Sequence, residues 1–384
     1  MSGSHQQDLF SPQAARGYSN EILQGTQQAS EKATLPEFQG SDGLHKFFNY
    51  SALDMFAGVL FGGKQHLGDD YDDFCRAAVE NLELIRQLTM APKEIIAYKV
   101  FGLTTSKFKR FQETFAVIHE IAMRRFGAYQ DYIARVGDDG LTQEEKNSYF
   151  YKILKRQPDS NVTAKECLEL CVLLLTAAVD TTAAKTSWNV LHLGLRPDIQ
   201  DELRSQLLKA VDKHGGLVPA IYDNINEEIP LLPAVIRESH RLTPVIFGDL
   251  QKVCPEDTEI YGRILPAGSN VMFDGLTNMM DETLVEDPMD FKPQRWFKSA
   301  VEARKGTPQA VIDHPFYSGP FSQGARRCPG SRVAYVEIQC ILSRMLLDYN
   351  IEGPASMHWS EVNSEMRLME VPTFPDEVKF VPRV

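Results

Sequence analysis

Along the chain, apolar positions first recur at helical intervals. Leu44 to Phe61 and Tyr71 to Leu88 predict amphipathic surface helices, and Thr105 to Val136 carries Phe108, Phe111, Phe115, Ile118 and Ile121 at the spacing that lines one helix face. Thr163 to Leu193 differs. Its middle is apolar on nearly every side and Gly194 and Pro197 close it, so a long helix through the interior is expected, spanning roughly 45 Å at ~1.5 Å per residue. Asp198 to Val211 predicts a further helix, and another follows from about Leu231 to Leu242.

After Thr243-Pro244 the pattern changes. Glu259 to Phe273 holds short β-prone runs broken by Gly and Pro, which predicts a hairpin. An irregular stretch leads to Gly330, and Ser331 to Tyr349 resumes helical spacing through Ala334, Ile338, Ile341, Leu342 and Met345. The expected fold class is mainly α with a minor β component. No Pro/Gly/Ser linker divides the chain, so residues 1–384 are expected to form one domain. It comprises a leading segment and helix over 1–43, a helical part over 44–250 with the central helix at about 163–193, and a part over 251–384 holding the hairpin, a meander, a cysteine loop and the last helix.

Composition narrows the possibilities. With 43% hydrophobic residues, 384 residues can bury a large core. The net charge of -12 argues against nucleic-acid binding, which needs clustered Lys and Arg. The six cysteines form no CxxC pair, so neither a zinc site nor a disulfide framework is expected, and a reducing compartment fits. Met1 to about Gly43 carries Asp8, Glu21 and Glu31 and no apolar stretch, unlike a signal or transit peptide. The longest strongly apolar run, Leu170 to Val179, is about half of the roughly 20 residues a membrane span requires, so no span is expected.

Three constellations carry candidate chemistry. Pro320-Phe-Ser-Gln-Gly-Ala-Arg-Arg-Cys328-Pro-Gly330 is a loop that runs directly into a helix, where the unpaired N–H groups and positive dipole end favour a thiolate. Cys328 reads either as an anionic ligand or as a structural thiol in a tight turn. Ala177-Ala178-Val179-Asp180-Thr181-Thr182 places a carboxylate and a hydroxyl in the middle of the apolar helix. They read either as a proton-transfer pair or as threonines bonded back to carbonyls beside an ion-paired acid. Glu238 and Arg241 stand three apart on one helix face, where an acid and a base can pair.

The first of these resembles a known signature. F-x-x-G-x-R-x-C-x-G, filled by Phe321, Gly324, Arg326, Cys328 and Gly330, is similar to the haem-binding loop of the cytochrome P450 family, and His314 to Phe321 is similar to the run before that loop in the mitochondrial, ferredoxin-dependent branch. Ala177 to Thr182 resembles the family's central-helix motif, with Ala178 where a Gly is usual. Glu238 to Arg241 and Phe291-Lys-Pro-Gln-Arg295-Trp296 resemble its E-x-x-R and P-x-R-[WF] elements. The resemblance runs from about Leu9 to the C-terminus and is densest from Thr163 to Tyr349.

The resemblance implies haem b (iron protoporphyrin IX) bound through Cys328, with Phe321, Gly324, Arg326, Gly330, Ala177 and Ala178 around it and Arg326 on a propionate. It implies proton delivery by Asp180 and Thr181, and a structural triad of Glu238, Arg241 and Arg295 that locks the cysteine loop. The implied activity is monooxygenation of a hydrophobic small molecule, a sterol or other lipid, using dioxygen and electrons from a ferredoxin or a flavoprotein reductase. Some relatives instead rearrange or dehydrate peroxides, a route against which the Asp180-Thr181 pair argues.

The beginning departs from the pattern. The first Trp is Trp188, inside the central helix, so the family's W-x-x-x-R helix, its first sheet strands and helices and its membrane-anchoring or targeting segment are expected to be absent. The chain then reads as a fragment, an alternative start or an incomplete gene model, and an inactive form with weak or no haem binding is the alternative function. In full-length form the implied location is the mitochondrial inner membrane, matrix side, or the endoplasmic reticulum membrane. Arg237, Arg327 and Arg332 are expected to form a basic patch for the electron donor, although Pro233 stands where the mitochondrial branch often has a Lys.

Overall fold

A computed structural model describes residues 11–62, 68–156, 163–246, 252–272, 275–317, 319–324, 327–354, 356–366 and 369–383. The described residues fall into two compact units, one from Met1–Ile229 with Pro329–Val384, the other from Pro230–Cys328. The first unit begins with α1 (Pro12–Gly17), α2 (Ser19–Lys32), α3 (Gly40–Phe61), α4 (Tyr71–Met90), α5 (Pro92–Phe101) and α6 (Ser106–Val136). It continues with α7 (Gln143–Asn147), α8 (Tyr149–Arg156), α9 (Ala164–Gly194), α10 (Pro197–His214) and α11 (Leu217–Glu228). The second unit holds α12 (Leu231–Leu242), β1 (Lys252–Val253), β2 (Thr258–Ile260), β3 (Arg263–Leu265), β4 (Asn270–Val271), α13 (Gly275–Met279) and α14 (Lys298–Arg304). The chain then returns to the first unit with α15 (Ser331–Asp348), β5 (Tyr349–Glu352), β6 (Ser364–Met366), β7 (Glu370–Pro372) and β8 (Lys379–Pro382).

Local chemistry sets the helix starts. Thr105 caps α6 by accepting from the Phe108 amide, and at α9 Thr163 and Glu166 form a capping box, each side chain accepting from the other's backbone N–H. In the first unit α9 packs against α3 and α15, α2 packs on α3 and α15, and α4 lies along α6. Contrary to the amphipathic surface helix expected of Leu44–Phe61, every residue of α3 from Ser51 to Phe61 is buried, because α2 and α9 cover it. The crossing of α2 and α3 depends on glycine: a Cβ on Gly58 would come within 2.9 Å of the Glu21 Cβ, and one on Gly25 within 3.1 Å of the Met55 backbone.

The central helix is interior over one half. From Thr182 to Leu195 every residue is buried, whereas Leu173 is 64% exposed and Ala177 is exposed. Its segment Glu169–Gly194 is long and apolar enough to cross a membrane by length and composition, more than the sequence run implied, but 59% of its most apolar window is buried within the protein, as in a core helix. At its end Gln200 ties α9 to β5, donating to the Leu193 and Ile351 carbonyls and accepting from the Ile351 amide. β5 pairs antiparallel with β8, and Phe380 of β8 packs on Phe47 and Phe48 of α3.

In the second unit Ala234, Val285, Trp296 and Ile312 form a core on which Leu284, Phe297 and Tyr317 pack. The expected hairpin over Glu259–Phe273 is divided. β2 and β3 pair around Tyr261-Gly262, both at positive φ, but β4 pairs with β1 instead. The reason is a turn at Pro266–Ser269 that sends the chain back to Cys254, whose carbonyl accepts from Gly268 N–H and whose amide donates to the Ser269 carbonyl. Phe273 lies outside the described residues.

Candidate functional site

The cysteine loop belongs to the second unit. The Cys328 amide donates to the Phe321 carbonyl at 2.8 Å and the Arg327 amide to the Gly324 carbonyl at 3.1 Å, so the loop folds back on itself and leaves Cys328 exposed. Gly324 takes a left-handed φ of 78°, with nothing within 4 Å of where a Cβ would stand. Ser322, a non-glycine, is also left-handed at φ 56°, a conformation that costs about 1–3 kcal/mol and occurs where loop shape matters. Phe321 is half-buried. Arg326 and Ala325 lie outside the described residues.

This geometry fits a haem iron. It offers an exposed soft sulfur on a tight turn, beside a glycine whose added Cβ would meet nothing within 4 Å. Among the described residues no group of three or more His, Cys, Asp or Glu side chains is placed to hold a bare metal ion. Beyond the loop, in the first unit, Gly330 is the N-cap of α15 at φ −77°, a backbone open to any residue. No side chain caps that helix end.

In the second unit, which also holds the loop, Glu238, Arg241 and Arg295 stand together. The Glu238 carboxylate is fully buried and accepts from Arg241 Nε and Nη2 at 3.0 and 2.9 Å and from Arg295 Nε at 2.9 Å. It also accepts from the Lys292 amide at 3.0 Å and the Trp296 indole at 2.8 Å. The remaining Arg241 donors reach the carbonyls of Met279, Pro288 and Asp290. A buried charge is thus matched by opposite charge and by hydrogen bonds, the condition under which burial is tolerated. Tyr317 packs on this core and donates to the Asn278 carbonyl, and two residues before it the Pro315 carbonyl accepts from Gln323 of the cysteine loop.

Arg237, expected in a docking patch, is engaged locally. Its guanidinium lies 3.8 Å from the Trp296 ring centroid, donates to the Ile312 carbonyl and pairs with Asp313 at 3.9 Å. Arg327 and Arg332 are exposed.

The acid–alcohol pair belongs to the first unit, on α9. Thr181 donates to the Ala177 carbonyl at 2.9 Å and more weakly to Ala178 at 3.4 Å, the back-bonded arrangement that keeps its oxygen lone pairs available to accept. Asp180, Thr181 and Ala178 are half-buried. Arg86 of α4 faces this stretch: its pKa is raised first by the bond to Glu83, and further by the charges of Glu83, Glu365 and Asp180.

Sequence reading missed three contributors. Trp296 and the Lys292 amide complete the Glu238 network; both stood in the Phe291–Trp296 string, Trp296 at the last position of its P-x-R-[WF] element, but neither was assigned to the triad. The third is Glu337 of α15, 1% exposed, whose Oε2 accepts from Thr182 Oγ1 at 3.4 Å. Burial pushes the Glu337 carboxyl up to about 8, opposed by the Thr182 bond. Its signal was position: Val333, Glu337, Cys340 and Ile341 share one helical stripe, so an acid stands among core residues.

Comparison with known proteins follows the same lines. The family model described as Cytochrome P450 matches residues 14–379. A mitochondrial sterol 26-hydroxylase of Oryctolagus cuniculus is 30% identical over 66% of this chain and 45% of its own length, and that of Rattus norvegicus 33% identical over 64% and 43%. A mitochondrial 25-hydroxyvitamin D-1 alpha hydroxylase of Homo sapiens is 25% identical over 98% of this chain and 72% of its own. The matched region therefore spans less than half the length of the sterol hydroxylases. With a family match over nearly the whole described chain and a cysteine loop of the matching form, this chain belongs to the cytochrome P450 family.

Proposed function

We propose that the protein is a haem-thiolate monooxygenase that hydroxylates a hydrophobic small molecule of sterol or similar lipid type, the whole chain acting as one P450 domain. The observation that carries this reading is Cys328, exposed on a turn closed onto the Phe321 carbonyl within the complete ten-residue signature. Haem b bound there supplies dioxygen activation and oxygen insertion. Cys328 binds the iron as a thiolate, favoured by the uncapped N-terminus of the helix that follows. Phe321 shields the sulfur, Gly324 and Gly330 permit close approach, and Arg326 pairs with a propionate.

Asp180 and Thr181 move protons in that chemistry, and Ala177 and Ala178 belong to the haem-binding residues. Thr181 holds its hydroxyl against the Ala177 carbonyl and accepts a hydrogen bond at Oγ1, while the Asp180 carboxylate exchanges protons with solvent. Glu238, Arg241 and Arg295 brace the loop through the core beneath it and take no part in the chemistry. The mitochondrial names of the relatives favour a ferredoxin over a flavoprotein reductase as electron donor, and the mitochondrial inner membrane, matrix side, over the endoplasmic reticulum as location.

The test is spectroscopic. The chain produced with haem, reduced and treated with carbon monoxide, is expected to show the red-shifted Soret band of thiolate-ligated haem, and Cys328→Ala to lose it. A wild-type protein without that band sinks the monooxygenase reading and leaves the inactive form.

A further inference from the structure

We infer that the space between α3, α4, α6 and α9 is a binding site for one small apolar molecule, dioxygen in the proposed reaction, on the side of the central helix turned away from Thr181. The site is read from packing alone; only the identity of its occupant rests on the haem-thiolate reading above. Leu53 of α3, Ala78 and Leu82 of α4, Ile118 of α6, and Leu175 and Val179 of α9 line it, and each is at most 8% exposed. They leave about 290 Å³ unfilled by atoms, within which the centre of a water-sized sphere can range over about 10 Å³. That is the room one small molecule needs, and close-packed interiors hold few such voids.

The chemistry of the lining selects the occupant. Every lining residue lies on a helix, so the backbone groups nearby are spent on helical hydrogen bonds. Among the lining residues Asn81 is the one polar side chain, and its amide nitrogen is committed to α6, donating to Thr114 Oγ1 at 2.8 Å and to the Phe111 carbonyl at 3.2 Å. A water there would find at most the Asn81 side-chain oxygen where roughly two to four polar partners are needed, so the cavity stays dry and favours an apolar guest. Successive helix residues project about 100° apart, so Val172, Leu175 and Val179 share one face of α9 and Thr181 projects from the opposite one. The guest therefore sits behind the face that carries the Thr181 hydroxyl, about one helix diameter away, roughly 10–12 Å. Dioxygen is small, apolar and consumed by the proposed reaction, and a dry void at this distance raises its local concentration.

The experiment uses xenon as the first probe. Crystals of the wild-type protein under xenon pressure are expected to hold one xenon atom beside Ala78 and Val179, a readout independent of haem. Ala78→Leu, which carries extra carbons into the space, is expected to exclude it with a thermal midpoint no lower than wild type, and Leu175→Ala, which enlarges the space, to raise its occupancy. With a ferredoxin, its reductase and cholesterol, Ala78→Leu is expected to raise the KM for dioxygen on the order of threefold while kcat at saturating oxygen and the thiolate carbon monoxide band stay unchanged. Absence of xenon, ordered water in its place, or a lowered midpoint in Ala78→Leu overturns the site. An unchanged KM for dioxygen with xenon bound overturns the assignment of its occupant. Absence of the Soret band in wild type overturns instead the haem-thiolate reading, and the xenon result stands apart from it.

Discussion

At the scale of single residues, the second unit concentrates its risk in one carboxylate. Glu238 is satisfied by two guanidinium groups, an amide and an indole, all within 3.0 Å. Removing Arg241 strands that charge in the core, so Arg241→Ala is expected to cost about 3–5 kcal/mol, read as a lowered denaturant midpoint. Trp296→Phe keeps most of the packing but deletes one donor to a charged acceptor, and about 1–3 kcal/mol is expected from the same measurement. A midpoint unchanged in Arg241→Ala would mean that the carboxylate is compensated by something other than this network. The two variants should combine non-additively, because both act on the same oxygens.

At the scale of elements, the crossing of α2 and α3 is held by what is missing from Gly58. Gly58→Ala places a methyl 2.9 Å from Glu21 Cβ, and overpacking of about 1–3 kcal/mol is expected in thermal unfolding. Thr163→Ala, which opens the capping box of α9, should cost ~1 kcal/mol. These elements also show what the sequence made legible. The long helices were readable because apolar residues recur at helical spacing and, for α9, Gly194 and Pro197 close the pattern. The burial of α3 was not, since a helix flanked by polar residues looks the same whether one neighbour or two cover it. The strands β5 to β8 escaped notice because they run for only three or four residues, too few for the alternation of Tyr349 and Ile351 in β5 to stand out, and β6 is exposed throughout. In the site, the cysteine loop and the Glu238 group were legible as local strings. Glu337 acts through Thr182, 155 residues away in sequence, and Arg86, though bonded to nearby Glu83, couples to Asp180 far along the chain, beyond the reach of spacing.

At the scale of the whole molecule, stability should depend on pH through its buried ionisable groups. Glu337 is raised from 4.5 to about 8 by burial, so the folded state holds a proton that the unfolded chain has released across that window. Its contribution is therefore largest below pH 4.5 and is lost as pH rises toward 8. Lys152 is lowered from 10.5 to about 8, again by burial, so its contribution returns as pH climbs from 8 to 10.5. Thermal midpoints measured across this range are expected to dip near pH 8, and Glu337→Gln should flatten the acidic side of the dip. A profile unaltered by that variant would show that Glu337 ionises normally.

The three tryptophans add a practical consequence. Trp188 and Trp359 lie in one compact unit and Trp296, sandwiched under Arg237, lies in the other. Replacing the first two with phenylalanine leaves a single emitter that reports only on the portion carrying the Glu238 carboxylate, and the converse variant reports only on the remainder. Fluorescence melting curves from the two versions should superimpose if the chain unfolds cooperatively and separate if each portion melts alone, so the native indoles serve as a two-channel optical gauge without any added label.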